Sequence, residues 1–254
     1  MIESSKKEPC GMIQNAKKVP CGMIQNVKAI FWKQIKETFK NKAIFIQFVM
    51  FPVMTIIMEN AVKIEGMQAH FFASLFAVMY VGMAPLVSMA SILSEEKEKN
   101  TLRVLLMANV RPTDYLLGIG CYIWTLCMTG AAVIGIGGGY RGRALLFFLL
   151  FMGFGILISI VVGASIGSFS KNQMMATSIT VPAMMILSFL PMVSMFNQTV
   201  ANIARFTYSE QLRILISQPE RFELSAEMIV VLSVNTILAL ALFVFAYKKC
   251  GLES

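Results

Sequence analysis

The sequence predicts an all-α membrane protein, with six transmembrane helices behind an N-terminal interfacial helix and both termini in the cytoplasm. Three observations lead there. The chain has 254 residues, of which 57% are hydrophobic and only 14% charged, against about 25% charged in a typical soluble domain. Its apolar residues gather in runs of about 20, the length of helix that crosses a ~30 Å hydrocarbon layer. Lysine and arginine are divided unevenly between the connecting segments, as they are in proteins with a fixed membrane orientation.

The spans are expected at 43–62, 71–93, 115–136, 144–168, 174–196 and 227–247. Pro52, Pro85, Pro182 and Pro191 fall inside them. In a bundle, neighbouring helices can satisfy the carbonyls that proline frees. Gly163 and Gly167 stand four residues apart in the fourth run. That spacing either lets two backbones approach closely or occurs by chance in a glycine-rich span. With the N-terminus inside, 16 of the 22 lysines and arginines lie on the inner side. Arg141 and Arg143 run against the rule, but the N-terminal excess outweighs them. The first 42 residues hold no long apolar stretch of the kind a cleavable signal needs.

Ahead of the spans, "NVKAIFWKQIKETFKNKA" places Val27, Ile30, Phe31, Ile35 and Phe39 at three- and four-residue steps, with Lys28, Lys33, Lys36 and Lys40 between them. This is the pattern of a helix over 28–42 lying in the membrane interface, with Trp32 near the headgroups. It is either a basic anchor or a part that packs and transmits force. Residues 1–27 carry a tandem repeat, "KKEPCGMIQNA" followed by "KKVPCGMIQNV". Cys10 and Cys21 are too few for a structural zinc site, which takes four ligands. A duplication in a tolerant tail is the simpler reading. The five cysteines form no disulfide framework, and reduced thiols are expected. Residues 248–254 are read as a cytoplasmic tail.

Several function classes are disfavoured. No span carries a charge near its centre, so a proton- or sodium-driven transporter lacks its usual coupling group. No G-x-x-x-x-G-K-[ST] loop is present to bind nucleotide. Gly137-Gly138-Gly139-Tyr140-Arg141-Gly142 matches a dinucleotide-binding spacing, but it joins two membrane runs instead of a strand and a helix. It is read as a flexible turn. The net charge of +8 suits an anionic membrane surface, not nucleic acid.

The charged stretch "SILSEEKEKNTLRVLLMANVRPTD" at 91–114 interrupts two of the longest apolar runs. Ser94 is expected to cap a short helix that starts as the second span leaves the membrane. Glu95, Glu96 and Glu98 would then occupy its first turns, where the helix dipole favours negative charge. Glu95 and Lys99 stand at i,i+4, Leu102, Leu105 and Leu106 make an apolar stripe, and Thr113 can cap the third span. Such a part could dock on a soluble partner, although a solvated loop would carry the same charges.

This stretch resembles the first cytoplasmic loop of type-2 ABC transporter permeases. There a Glu-rich run precedes Gly-Thr-Leu, a Leu pair and a Pro. Glu96, Glu98, Thr101, Leu102, Leu105, Leu106 and Pro112 fit, with Asn100 where the family usually has Gly. Asn tolerates a left-handed turn better than most residues. "SKNQMMATSITVPAMMILSFLPMVSMFN" is similar to the family's second cytoplasmic loop and fifth span, and the likeness extends over about 28–247. The resemblance implies a half-transporter that pairs with a second permease copy, each served by a separate ATP-binding cassette subunit. ATP and Mg would sit on that subunit, with no cofactor in this chain. The pre-membrane helix would be an elbow helix containing Phe31, Trp32, Ile35 and Phe39. Glu95, Glu96, Glu98, Thr101, Leu102, Arg103, Leu105 and Leu106 would couple to the ATPase, with Lys171 and Asn172 as a lesser contact. The segment 197–226 would hold short re-entrant helices, though an amphipathic outer loop fits equally.

The expected function is ATP-driven export of a hydrophobic or amphipathic peptide, drug or lipid-like compound from a bacterial cytoplasmic membrane. The alternative is a receptor or immunity protein that binds a peptide without moving it. Met184, Met185, Phe189, Met192 and Phe196 are candidates to line the path, since methionine adapts to varied apolar shapes; ordinary packing would use the same residues.

Overall fold

The computed structural model describes residues 23–40, 42–62, 70–101, 107, 111–217 and 225–250. Among them every regular element is a helix. Helix α1 is Met23–Lys40, α2 Lys42–Ala61, α3 Phe71–Glu98, α4 Pro112–Gly137 and α5 Gly142–Phe169. They are followed by α6 Gln173–Ser194, α7 Gln198–Ala204, α8 Tyr208–Ser217 and α9 Ala226–Cys250. Five of these, α3, α4, α5, α6 and α9, are long and apolar enough to cross a membrane. The first expected span corresponds to α2, a helix of 20 residues. The duplicated tail lies outside the described residues up to position 22, and α1 begins inside the second repeat, at Met23.

Helix α3 is the central post, packed on α2, α4, α5, α6 and α8. Small side chains allow it. A Cβ on Gly163 of α5 would fall 2.5 Å from the Leu86 carbonyl oxygen, and one on Gly167 would fall 2.8 Å from Leu93 Cβ. The four-residue spacing therefore serves close backbone approach. Pro85, inside α3, cannot donate to the Val81 carbonyl one turn back. Ser159 of α5 donates to that carbonyl at 2.7 Å. The Ser159 oxygen lies 2.7 Å from the Tyr208 hydroxyl of α8. A neighbouring helix thus satisfies the group that proline freed, and α8 is drawn into the same network.

Helices α7 and α8 lie between α6 and α9 in sequence, and α8 packs on α3, α5, α6 and α9. Tyr208 meets Ser159 at the level of Val81, ten residues inside the Phe71 end of α3, about 15 Å by helix rise. At the other end of α8, Ile216 accepts from the Tyr140 hydroxyl at 3.0 Å, in the turn between α4 and α5. Helix α8 therefore runs from the bundle interior to that turn. Its Leu212, Leu215 and Ile216 are buried, whereas Ile203 and Phe206 of the preceding cluster are exposed.

The glycine-rich turn is packed. Gly139 and Gly142 take φ of 82° and 54°, the left-handed region that suits glycine. Tyr140 between them is buried and stacks on His70 at 4.4 Å. The turn is thus built around the buried Tyr140 ring.

One expected boundary is corrected. No new helix starts at Ser94: α3 runs unbroken to Glu98, and the Ser94 hydroxyl donates back to the Ser91 carbonyl at 3.1 Å. Glu95, Glu96 and Glu98 thus stand in the last turn of a long helix, where its dipole disfavours them. Thr113 caps nothing either. Arg111 holds the N-cap position of α4 without a side-chain cap, and Pro112 follows it, where the missing N–H costs no helical bond.

Candidate functional site

The end of the bundle that carries α1 also holds the end of α3, the start of α4 and the link from α5 to α6. Helix α1 reaches it because its apolar stripe is used against α4. Ile30 is buried, a Cβ on Gly118 would lie 2.8 Å from Ile30 Cβ, and Phe31 meets Tyr122 edge-on at 5.8 Å. Ile35 packs against the same core, while Trp32 stays 54% exposed on the opposite side. Phe39 lies on α1, with its side chain outside the described set. Asn26 donates to Asp114 Oδ2 at 3.0 Å, tying the start of α1 to the start of α4.

Glu96 is the centre of this junction. It is 6% exposed. Its Oε1 accepts from Lys33 Nζ at 2.9 Å and from Gln34 Nε2 at 2.8 Å. Both donors come from α1, whose one turn supplies the opposite charge and a second donor. These contacts offset the unfavourable helix end. The second oxygen, Oε2, is buried and faces the hydroxyl of Tyr115 from α4, a donor with no other partner.

The next two residues grip the α5–α6 link. Lys97 Nζ donates to the Ser168 and Ser170 carbonyls at 2.6 and 3.2 Å. Glu98 Oε2 accepts from the Gln173 N–H at 2.8 Å, and Gln173 Nε2 donates to Ser91 Oγ at 3.2 Å. A cation thus meets the C-terminal carbonyls of α5 and an anion the N-terminal N–H of α6, each matched to the local dipole. Asn172 caps α6 by accepting from the Met175 N–H at 2.8 Å.

These contacts redistribute the residues singled out in the sequence. Glu96 faces inward and is occupied by α1, whereas Glu98 is exposed while its Oε2 accepts from the Gln173 N–H. Glu95 pairs with Lys99 one turn on, and the carboxylate raises the pKa of the exposed ammonium. Asn100 takes φ 56°, the left-handed turn its side chain tolerates. Thr101 donates to the Glu96 carbonyl at 3.2 Å and closes the end of α3. Leu102, Arg103, Leu105 and Leu106 lie outside the described residues. Met107 is 72% exposed, and Lys171 is exposed. On α6, Met184 and Phe189 are half-buried, with Met184 against Leu86, Ala90 and Ile166. Met192 is half-buried, whereas Met185 and Phe196 are 49% and 78% exposed. Exposure thus differs among the five. Among the described residues no cluster of His, Cys, Asp or Glu could hold a metal ion, and Cys10 and Cys21 lie outside them.

Sequence reasoning missed another buried carboxylate that is paired to a cation. Glu210 of α8 is 3% exposed. Its Oε1 accepts from Arg213 Nη2 at 2.6 Å, and its Oε2 from Arg213 Nε at 3.0 Å and from Ser194 Oγ at 2.9 Å. The signal was present as a Glu–Arg pair at i,i+3 beside an apolar cluster.

A search of curated proteins gave no match. Residues 15–217 match the family model described as ABC-2 family transporter protein. The match takes in the Glu96 junction, the α5–α6 link and the α7–α8 pair, and it covers most of the chain. The packed apolar helices and that match together make this chain a multi-pass membrane protein, the permease of an ABC transporter of the ABC-2 family, which works with an ATP-binding cassette partner.

Proposed function

We propose that the chain is the membrane path of an ATP-driven exporter, and that its α1 end is cytoplasmic and receives the ATP-binding subunit. The observation that carries this is the triple grip at the end of α3: Glu96 on α1, Lys97 on α5 and Glu98 on α6. A push on the connection 99–111 reaches three elements at once through one helix turn. Because α3 packs on most of the bundle, its displacement would reach α8 and the far end. The docking surface would include the exposed Met107 as an apolar anchor and the exposed Lys171 of the α5–α6 link as a charged contact.

The cargo would be hydrophobic or amphipathic, passing between this chain and a second permease copy. The α6 face that bears Met174, Val181, Met185 and Ile186 is exposed, which supports a shared path there. Co-purification with an ATP-binding cassette subunit is the test. Met107→Asp with Lys171→Glu should release that subunit while the permease stays in the membrane; retention in the double variant would refute the docking surface. Impermeant thiol reagents should reach Gln198→Cys in intact cells and Asn100→Cys only in opened ones. The reverse pattern would invert the orientation.

A further inference from the structure

A groove of about 770 Å3 runs along the exposed side of α6, starting at the end of α3. Glu98 lines it where its Oε2 accepts from the Gln173 N–H. Pro182, also in the lining, lies nine residues beyond Gln173, about 14 Å further along α6. Met174, Val181 and Pro182 make part of the wall apolar, and all three are exposed. The groove is therefore amphipathic, with a carboxylate at the end next to the α5–α6 link.

Glu98 sets the sign of that end. The lining holds no lysine, arginine or histidine. The basic neighbours of Glu98 in sequence are engaged elsewhere, Lys97 on the Ser168 and Ser170 carbonyls and Lys99 on Glu95. Lys171, in the link, is exposed and outside the lining. The negative end of the α3 dipole and the positive end of the α6 dipole meet there and offset one another. With Oε2 on Gln173, Oε1 of Glu98 is left for a further donor. Hydrogen-bonding capacity points the same way. The Thr177 and Ser178 hydroxyls are committed to the Gln173 and Met174 carbonyls at 2.9 Å each, and Gln173 Nε2 to Ser91. The amide of Asn172, whose oxygen caps α6, is the remaining donor. Pro182, inside α6, has no N–H to give the Ser178 carbonyl one turn back, which adds an acceptor to the wall.

We propose that this groove is the entry site for a cationic amphiphile, with its ammonium or guanidinium on Glu98 and its hydrocarbon along Met174, Val181 and Pro182. The inference rests on the reading of the α6 face as the cargo path and adds the sign of the cargo's charge. An anionic amphiphile of the same length would meet the carboxylate with nothing in the lining to neutralise it.

Thr177, exposed in the wall, serves as the reporter in the form Thr177→Cys, in a background where the native cysteines are serine. The permease with its ATP-binding subunit is placed in phosphatidylcholine nanodiscs. The rate of maleimide labelling is followed against dodecylamine, dodecanoic acid or dodecanol. Dodecylamine should slow labelling at a several-fold lower concentration than the other two. Glu98→Gln, whose amide oxygen can still accept from the Gln173 N–H, should bring the three curves together. Ser178→Lys touches no contact of the α3 grip and should shift the preference to dodecanoic acid. Equal protection by the three probes, or a dodecylamine preference that survives either variant, would overturn the proposal. So would phosphatidylethanolamine that protects as strongly as dodecylamine at equal mole fraction, since the site would then be a lipid's. ATPase stimulation in the same discs separates the groove from the export reading. Protection without stimulation upholds the groove and counts against export through it; stimulation without protection upholds export and overturns the groove.

Discussion

Glu96 and Glu210 are both buried carboxylates paired to a cation, at opposite ends of the bundle, yet they are built differently. Glu210 uses both oxygens, and its cation lies three residues away on the same short helix. Ser194 adds the only reach to another element, |i−j| of 16. Glu96 takes two donors on one oxygen from a helix more than sixty residues earlier, and its other oxygen faces the Tyr115 hydroxyl of α4. The first arrangement is complete and local, and it locks α8 to the end of α6. The second is long-range, and it ties α1 to the end of α3 as one body. A local pair fixes a single connection; a long-range pair carries a displacement between distant elements.

Removing a partner from each pair should separate them. Glu210→Ala leaves the Arg213 guanidinium, 18% exposed, without its anion. Losing one member of a buried pair costs about 3–5 kcal/mol, so a large drop in melting midpoint in detergent is expected. Lys33→Ala leaves Glu96 without its cation, and hydrogen bonds to charged groups are worth about 1.5–3 kcal/mol. Glu96→Ala should cost less, because Lys33, 33% exposed, can turn to water. A double-mutant cycle of the two in the same melting assay isolates their coupling. Lys99→Ala, at the exposed Glu95 pair, should leave the midpoint unchanged, as surface pairs contribute little. An equal loss at Glu210 and Lys99 would erase the distinction between a saturated buried pair and a solvated one.

Much of this was legible in the chain. The long spans show because a helix that crosses hydrocarbon must be apolar for its whole length, whatever its neighbours. The spacing of Ile30, Phe31 and Ile35 marks α1 for the same local reason. Asn100 announces its left-handed turn, and Gly163 with Gly167 announces a close contact. The inward turn of Glu96 was not legible. It depends on Lys33 and Gln34 arriving from α1, and local rules read the three glutamates as the start of a helix when they are the end of one. Ser94 illustrates the ambiguity, since a serine can cap a new helix or bond back within an old one. Glu210 was missed because a charge in a connection is ordinarily solvated, and only packing of α8 on α3 and α5 buries it.

The central claim is that α1, the end of α3 and the α5–α6 link move as one body when ATP is hydrolysed. Lys36 on α1 and Lys171 in the link are both exposed and can be replaced by cysteine in a background where the native cysteines are serine. Spin labels at the two positions report their separation by double electron–electron resonance. The complex with its ATP-binding subunit is compared without nucleotide and with ATP trapped by vanadate. The account predicts one narrow distance common to both states, and a distribution that broadens when Lys33→Ala is added. A distance that shifts between the two states in the otherwise unaltered junction would contradict it.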